Sequence, residues 1–258
     1  MAGQARRDGW RVVAFTFGAA EGLAECADRV VPSRVTELEP VLAGLQQERA
    51  EVALFAGKFW MQDLLSAERH QADAVAASFE RMAESRSDAG LSRVVVATLG
   101  SLGIAVLDQR RFMGDWLARA GCLTSVAPTE DDWRDVRAGF KAARALADLG
   151  VGQTVVVRHG VVVAVEAAEG TTAAIERGTA LAGGGATVVK AVAGAHDYRF
   201  DLPAVGSETI DSAAAGGVRV LAIQAGRVAL LEREQALARA EAAGIALVSV
   251  DDGWPPPS

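Results

Sequence analysis

Hydrophobic positions in this chain fall in short runs, and the segments between them carry helical spacing. Residues 11–17, 51–57 and 104–108 are apolar and strand-length, and helical stretches lie between them at 35–50, over 62–87 and at 89–103. Ser33 or Thr36 is the expected cap of the helix at 35–50. Near-continuous apolar strands alternating with helices predict a parallel sheet covered on both faces. The alternation breaks around 118–132, which places a domain boundary near Ala127 and gives domains 1–127 and 128–258. Thr129, followed by Glu130, Asp131 and Asp132, signals a helix start, and that helix runs to about Leu149. Residues 153–168 then read as a hairpin turning at Arg158-His159-Gly160. A helix at 171–182, a strand within 183–192, a helix at 207–217, a strand at 218–226, a helix at 232–244 and a strand at 245–250 follow, with a frayed tail at 251–258. The pattern thus predicts an α/β fold in two domains, an N-terminal Rossmann-like parallel sheet and a C-terminal mixed-sheet domain.

Composition narrows the function classes. Hydrophobic residues make up 50% of the 258 residues, yet every apolar run is strand-length and broken by charge, so no membrane-spanning segment is expected. The first ten residues lack the apolar stretch and cleavage site of a signal peptide, and a cytoplasmic location follows as the expectation. Net charge is −7 with no basic run, which argues against nucleic acid as a partner. Cys26 and Cys122 fit a reducing compartment, and neither stands at metal-ligand spacing from His70, His159 or His196.

Ligands of open α/β sheets collect beyond the carboxyl ends of the strands, so the loops there are the candidates. Residues 196–201, His-Asp-Tyr-Arg-Phe-Asp, alternate charged and aromatic side chains and read as a half-buried strand stopped by Pro203. On a strand, Asp197, Arg199 and Asp201 share one face. Two carboxylates there suit Mg²⁺ together with a substrate phosphate; equally, Arg199 bridges two acids on a solvated face. Glu166 and Glu169 follow a strand, and Gly170-Thr171-Thr172 opens a helix. That opening suits either an anion or an ordinary N-cap made by Thr171 or Thr172, the cap being favoured from the motif alone. Lys190 ends an apolar strand and either neutralises a phosphate or reaches solvent. Gly183-Gly184-Gly185 lacks the Gly-Lys-Ser/Thr of a phosphate loop and reads as a flexible loop. His159 belongs on the surface of its hairpin, and His196 adjoins the acidic segment.

The blocks "LDQRRFMGDWLARAGCLT", "DVRAGFKAARALADLGVGQTVVVRHGVVVAVEAAEGT", "VVKA", "DYRFDLPAVGSETI" and "VLAIQAG", in this order, resemble the C-terminal part of the LpxI family. That family comprises the UDP-2,3-diacylglucosamine pyrophosphatases of lipid A biosynthesis. "VALFAGKF" is similar, more loosely, to an N-terminal family strand whose Ala-Gly end, here Gly57, lies near the nucleotide. The resemblance implies two domains and a Mg²⁺-dependent hydrolase in which water attacks the α-phosphate, releasing UMP and 2,3-diacylglucosamine 1-phosphate. It implies that Asp201 is the essential aspartate of the family's Asp-Leu-Pro motif and, with Asp197, a metal ligand. It also implies that Lys190, Arg199, Glu169, Gly170, Thr171 and Gly57 face the substrate. The implied partner is a UDP-linked diacylated amino sugar; peripheral contact with the inner membrane and a homodimer stay open. The family usually begins with a further strand and a Gly-Gly-Gly loop, whereas this chain starts within the helix that follows them. Thr172 stands where the family has an acid, and Ala193 where it has a lysine. The alternatives are therefore a weak or inactive relative that binds a nucleotide-sugar or lipid, and a hydrolase of another UDP-sugar.

Overall fold

The computed structural model describes residues 1–18, 21–34, 36–57, 73–75, 77–78 and 88–251. Most of the polar stretch expected to be helical over 62–87, and all of the tail after Asp251, lie outside them. The chain divides into two units, Met1–Met113 with Asp197–Asp201, and Gly114–His196 with Leu202–Ser258.

In the first unit the elements run α1 (Ala2–Arg7), β1 (Val13–Thr16), α2 (Leu23–Cys26), β2 (Arg29–Pro32), α3 (Glu39–Gln47), β3 (Val52–Ala53), α4 (Asp88–Ser101) and β4 (Ala105–Val106). Both of its strand pairs, β1 with β2 and β3 with β4, are parallel, as the apolar runs imply. The strands expected at 51–57 and 104–108 shorten to two residues each, and none of these four residues is fully buried. Strand β2 was not expected, because its apolar core is only Val30-Val31 before Pro32 ends it. Helix α3 starts at Glu39, with Pro40 in its first turn, and neither Ser33 nor Thr36 caps it. Asp73 does so instead, its carboxylate accepting the Glu39 N–H at 2.7 Å. A proline in the first turn has no N–H to satisfy, which favours the later start.

The second unit runs β5 (Gly121–Cys122), α5 (Glu130–Asp148), β6 (Thr154–Arg158), β7 (Val161–Val165), α6 (Thr171–Ala182), β8 (Thr187–Lys190), β9 (Ala204–Val205), α7 (Ser207–Ala215), β10 (Val220–Gln224), β11 (Ala229–Leu230), α8 (Arg233–Ala242) and β12 (Ala246–Val250). Its six-stranded sheet has the order β5-β12-β10-β8-β6-β7. Strands β8, β10 and β12 are parallel, while β5, β6 and β7 pair antiparallel with their neighbours, so the sheet is mixed.

Two-residue alternation divides this core between helices. Val155, Val157 and Val189 join Val136 and Ala143 of α5 in one cluster. A Cβ on Gly139 would lie 2.5 Å from Val189 Cγ2, so α5 crosses the sheet at a point where only glycine fits. Val156 points the other way, and a Cβ on Gly178 of α6 would meet its Cγ2 at the same 2.5 Å. Each fully buried valine contributes on the order of 1.5–3 kcal/mol relative to exposure.

Local signals hold at the expected places. Thr129 and Asp132 form a reciprocal capping box on α5. The hairpin turns through His159 and Gly160, both at positive φ, with His159 exposed. The Asp135 carboxylate accepts both of their N–H groups, at 3.0 and 2.5 Å. Gly183–Gly185 is not a free loop: the Gly185 N–H donates to Gly217 O at 2.8 Å, and its carbonyl accepts from Arg158 at 2.7 Å. Among the described residues no helix is long and apolar enough to cross a membrane.

Candidate active site

The carboxyl ends of β8 and β10 bring Lys190 and Gln224 to one edge of the second unit's sheet, in register with Thr154 at the start of β6. Lys190 is only 6% exposed. Its Nζ donates to Thr171 Oγ1 at 2.8 Å, and that hydroxyl donates to Glu166 Oε1, also at 2.8 Å. The other oxygen of Glu166 accepts the Gln153 N–H at 3.3 Å. Burial alone would raise the Glu166 pKa. The charge of Lys190, the hydroxyls of Thr154 and Thr171 and the Gln153 N–H outweigh it, and the net direction is down. The carboxylate is therefore held ionised beside the ammonium.

This arrangement reassigns two residues. Thr171 does not cap its helix; Gly170, at φ 85, is the N-cap and no side chain caps that end. The positive φ explains the glycine, and it frees the Thr171 hydroxyl to join Lys190 to Glu166. Glu169 stands apart from Lys190. It is exposed, its Oε1 receives Arg177 Nη2 at 2.6 Å, and its pKa is lowered by its own backbone N–H and by Arg177. Of the two glutamates that follow β7, the resemblance favours Glu169, whereas Glu166 is the one joined to Lys190. The signal was present: Ala164 is buried in β7, and Glu166 continues that face two residues on.

Residues 191–196 are tied down within the same unit. Val192 N–H donates to Gln224 Oε1 at 2.9 Å, and Gly194 N–H to Asp148 Oδ1 at 2.8 Å. Arg227 Nη2 donates to the carbonyls of Ala193 and Gly194, at 2.8 and 3.2 Å. A guanidinium unnoticed in the sequence thus sits against Ala193.

The segment Asp197–Asp201 belongs to the first unit and is a turn, not the strand that its alternation suggested. The Phe200 N–H points back to Asp197 O at 3.4 Å. Tyr198 is 4% exposed, and Phe200 stacks on Phe55 with ring centroids 4.9 Å apart. The aromatic residues anchor the turn, while Asp197 and Asp201 are exposed. Asp197 and Arg199 form a bidentate pair, Nη2 to Oδ2 at 2.7 Å and Nε to Oδ1 at 2.9 Å. The aspartate raises the arginine pKa further. Gly57 lies two residues beyond Phe55, at φ 114 with open space where a Cβ would stand.

The structure therefore sorts the candidates into two groups. Lys190 and Thr171, with Gly170 alongside, form a buried group in the second unit; Asp197, Arg199 and Asp201 form an exposed one in the first. Among the described residues no three His, Cys, Asp or Glu side chains form a ready metal cage.

Fold and charged loops define a class: a two-unit α/β protein with carboxylate–cation clusters on its loops and strand ends. Residues 1–116 match the LpxI N-terminal domain and residues 119–248 the LpxI C-terminal domain, so the chain belongs to the LpxI family. It is similar to the UDP-2,3-diacylglucosamine pyrophosphatase LpxI of Caulobacter vibrioides, at 28% identity over 225 residues, covering 84% of this chain and 80% of that one.

Proposed function

We propose that the protein hydrolyses the pyrophosphate bond of UDP-2,3-diacylglucosamine. One water adds to the α-phosphorus, the bond from that phosphorus to the bridging oxygen breaks, and UMP and 2,3-diacylglucosamine 1-phosphate leave. The observation that carries this reading is the similarity to the Caulobacter vibrioides pyrophosphatase over 84% of the chain. The geometry supports it through Asp201, an exposed carboxylate on a turn stiffened by the Asp197–Arg199 pair and the Phe55–Phe200 stack.

Mg²⁺ takes one or two carboxylates and completes its shell with water and substrate phosphate. Asp201 fits that mode. Asp197 is less suited, because Arg199 already engages both of its oxygens. We therefore assign the ion to Asp201 alone, where it would supply positive charge to the phosphate oxygens. Arg199 binds a phosphoryl oxygen and Asp201 orients the attacking water. The N-terminus of α6 at Gly170 offers backbone N–H groups to an anion, with Lys190 and Thr171 holding its first turn. Gly57 gives the nucleotide a bare stretch of backbone, and Glu169 acts through Arg177.

Purified protein given this substrate and Mg²⁺ should release UMP, and Asp201→Ala should lower the rate by at least about 100-fold without loss of fold. Absence of UMP from the wild type overturns the reading. A second reading, ligand binding without turnover, is favoured by the inward turn of Lys190 toward Thr171. Substrate binding that Asp201→Ala leaves intact, with no UMP from either protein, would select it.

A further inference from the structure

The chain builds one three-residue device twice. In Asp108-Gln109-Arg110 the arginine N–H donates to Asp108 Oδ1 at 2.8 Å, Nε reaches both carboxylate oxygens at 3.1 Å, and Nη2 donates to Oδ2 at 2.6 Å. In Asp197-Tyr198-Arg199 the same bonds measure 3.0 Å, then 2.9 and 3.2 Å, then 2.7 Å. The two devices join at their middle residues, since the Gln109 N–H donates to the Tyr198 carbonyl at 3.0 Å. The Arg110 guanidinium also lies over the Tyr198 ring, 3.9 Å from its centroid. Gln109 and Tyr198 are buried, whereas the four charged side chains are each about 40% exposed.

This arrangement is poorly suited to stability. Exposed ion pairs stabilise little, and the Asp197 charge works against the ionised form of Asp108. What the arrangement achieves is orientation. Each aspartate grips the Nε–Nη2 edge of its arginine, fixing the plane of the fork before any ligand arrives. Among the described residues nothing engages Nη1 of either guanidinium.

We propose that Arg110 and Arg199 together form a clamp for a diphosphate ester, one guanidinium to each phosphoryl group. This rests on the hydrolase reading above and extends it to Arg110, which lies in a distant stretch of sequence. Because an aspartate balances each arginine, the clamp selects by hydrogen-bond geometry rather than by bulk charge. A lysine, which keeps the charge but loses the fork, should not replace either arginine.

Calorimetric titration of the full chain with inorganic pyrophosphate and with orthophosphate tests the clamp. Wild type should bind pyrophosphate about 10-fold or more tighter than orthophosphate, and R110K and R199K should each lose about 10-fold for pyrophosphate. Asp108→Asn, which keeps Arg110 but loosens its grip, should lose several-fold and serves if R110K fails to fold. Equal affinity for the two anions, or R110K and Asp108→Asn both binding as wild type, overturns the clamp. UMP release with an unchanged KM in folded R110K also removes the clamp while leaving the hydrolase reading intact. Pyrophosphate binding that is lost in R110K, in a protein that releases no UMP, keeps the clamp and removes the hydrolase reading.

Discussion

Two carboxylate–cation clusters in this protein use the same chemistry in opposite surroundings. Lys190 and Glu166 lie at a sheet edge, the ammonium almost fully buried, with Thr171 between them. Asp108 and Arg110 lie at the start of a short 3-10 helix, Gln109–Phe112, and Asp197 and Arg199 on a turn, each about 40% exposed. Removing one partner from a buried pair strands a charge where water cannot reach it, whereas an exposed ion loses little when its partner goes. The first cluster therefore belongs to the structure's stability, while the second adds little to it and is the one for which a ligand role is proposed above. The same residue types carry different consequences because solvent screens one set and not the other.

Lys190→Met breaks the comparison at its strongest point. It should destabilise the protein by about 3 kcal/mol, read from urea unfolding, because Glu166 is left ionised without its cation. A loss below about 1 kcal/mol would place the two clusters in one class. The next largest effect should come with acid. The Glu166 pKa is lowered in the folded protein, so its contribution is complete above the ordinary value of 4.5 and is lost as pH falls below that. Urea midpoints measured from pH 7 to pH 3 should fall less for Glu166→Gln than for wild type. The difference should survive 0.5 M salt, which screens exposed pairs such as Asp108–Arg110. The smallest effect is expected from Asp197→Asn, at most about 1 kcal/mol in the same assay. A larger value would make that pair structural and count against its role in orienting Arg199.

The strands of the second unit were legible because Val155–Val157, Val188-Val189 and Leu221–Ile223 are continuous apolar runs, which only a two-sided core accommodates. Residues 196–201 misled for a physical reason. An aspartate that accepts the N–H two residues on, and then grips that residue's guanidinium, imposes a period of two on a turn. Tyr198 and Phe200 point inward for their own packing, and the sum imitates a strand. The neighbourhood of Lys190 was read only in part, since Glu166 and Glu169 both fall in the short stretch between β7 and Gly170. Only the face shared with Ala164 tells them apart. The seats of Arg110 over Tyr198 and of Arg227 against Ala193 were out of reach, because each of these contacts spans more than thirty positions of the chain.

The membership of Asp197–Asp201 in the first unit bears on the order of events during synthesis. A chain emerging from the ribosome presents Met1–Met113 early, with Phe55 and Arg110 already in place but without the rings they stack on. Tyr198 and Phe200 arrive only after strands β5 to β8 of the second unit have been made. The first unit is thus completed late, and a chain stalled before residue 201 would carry Arg110 in a half-built setting.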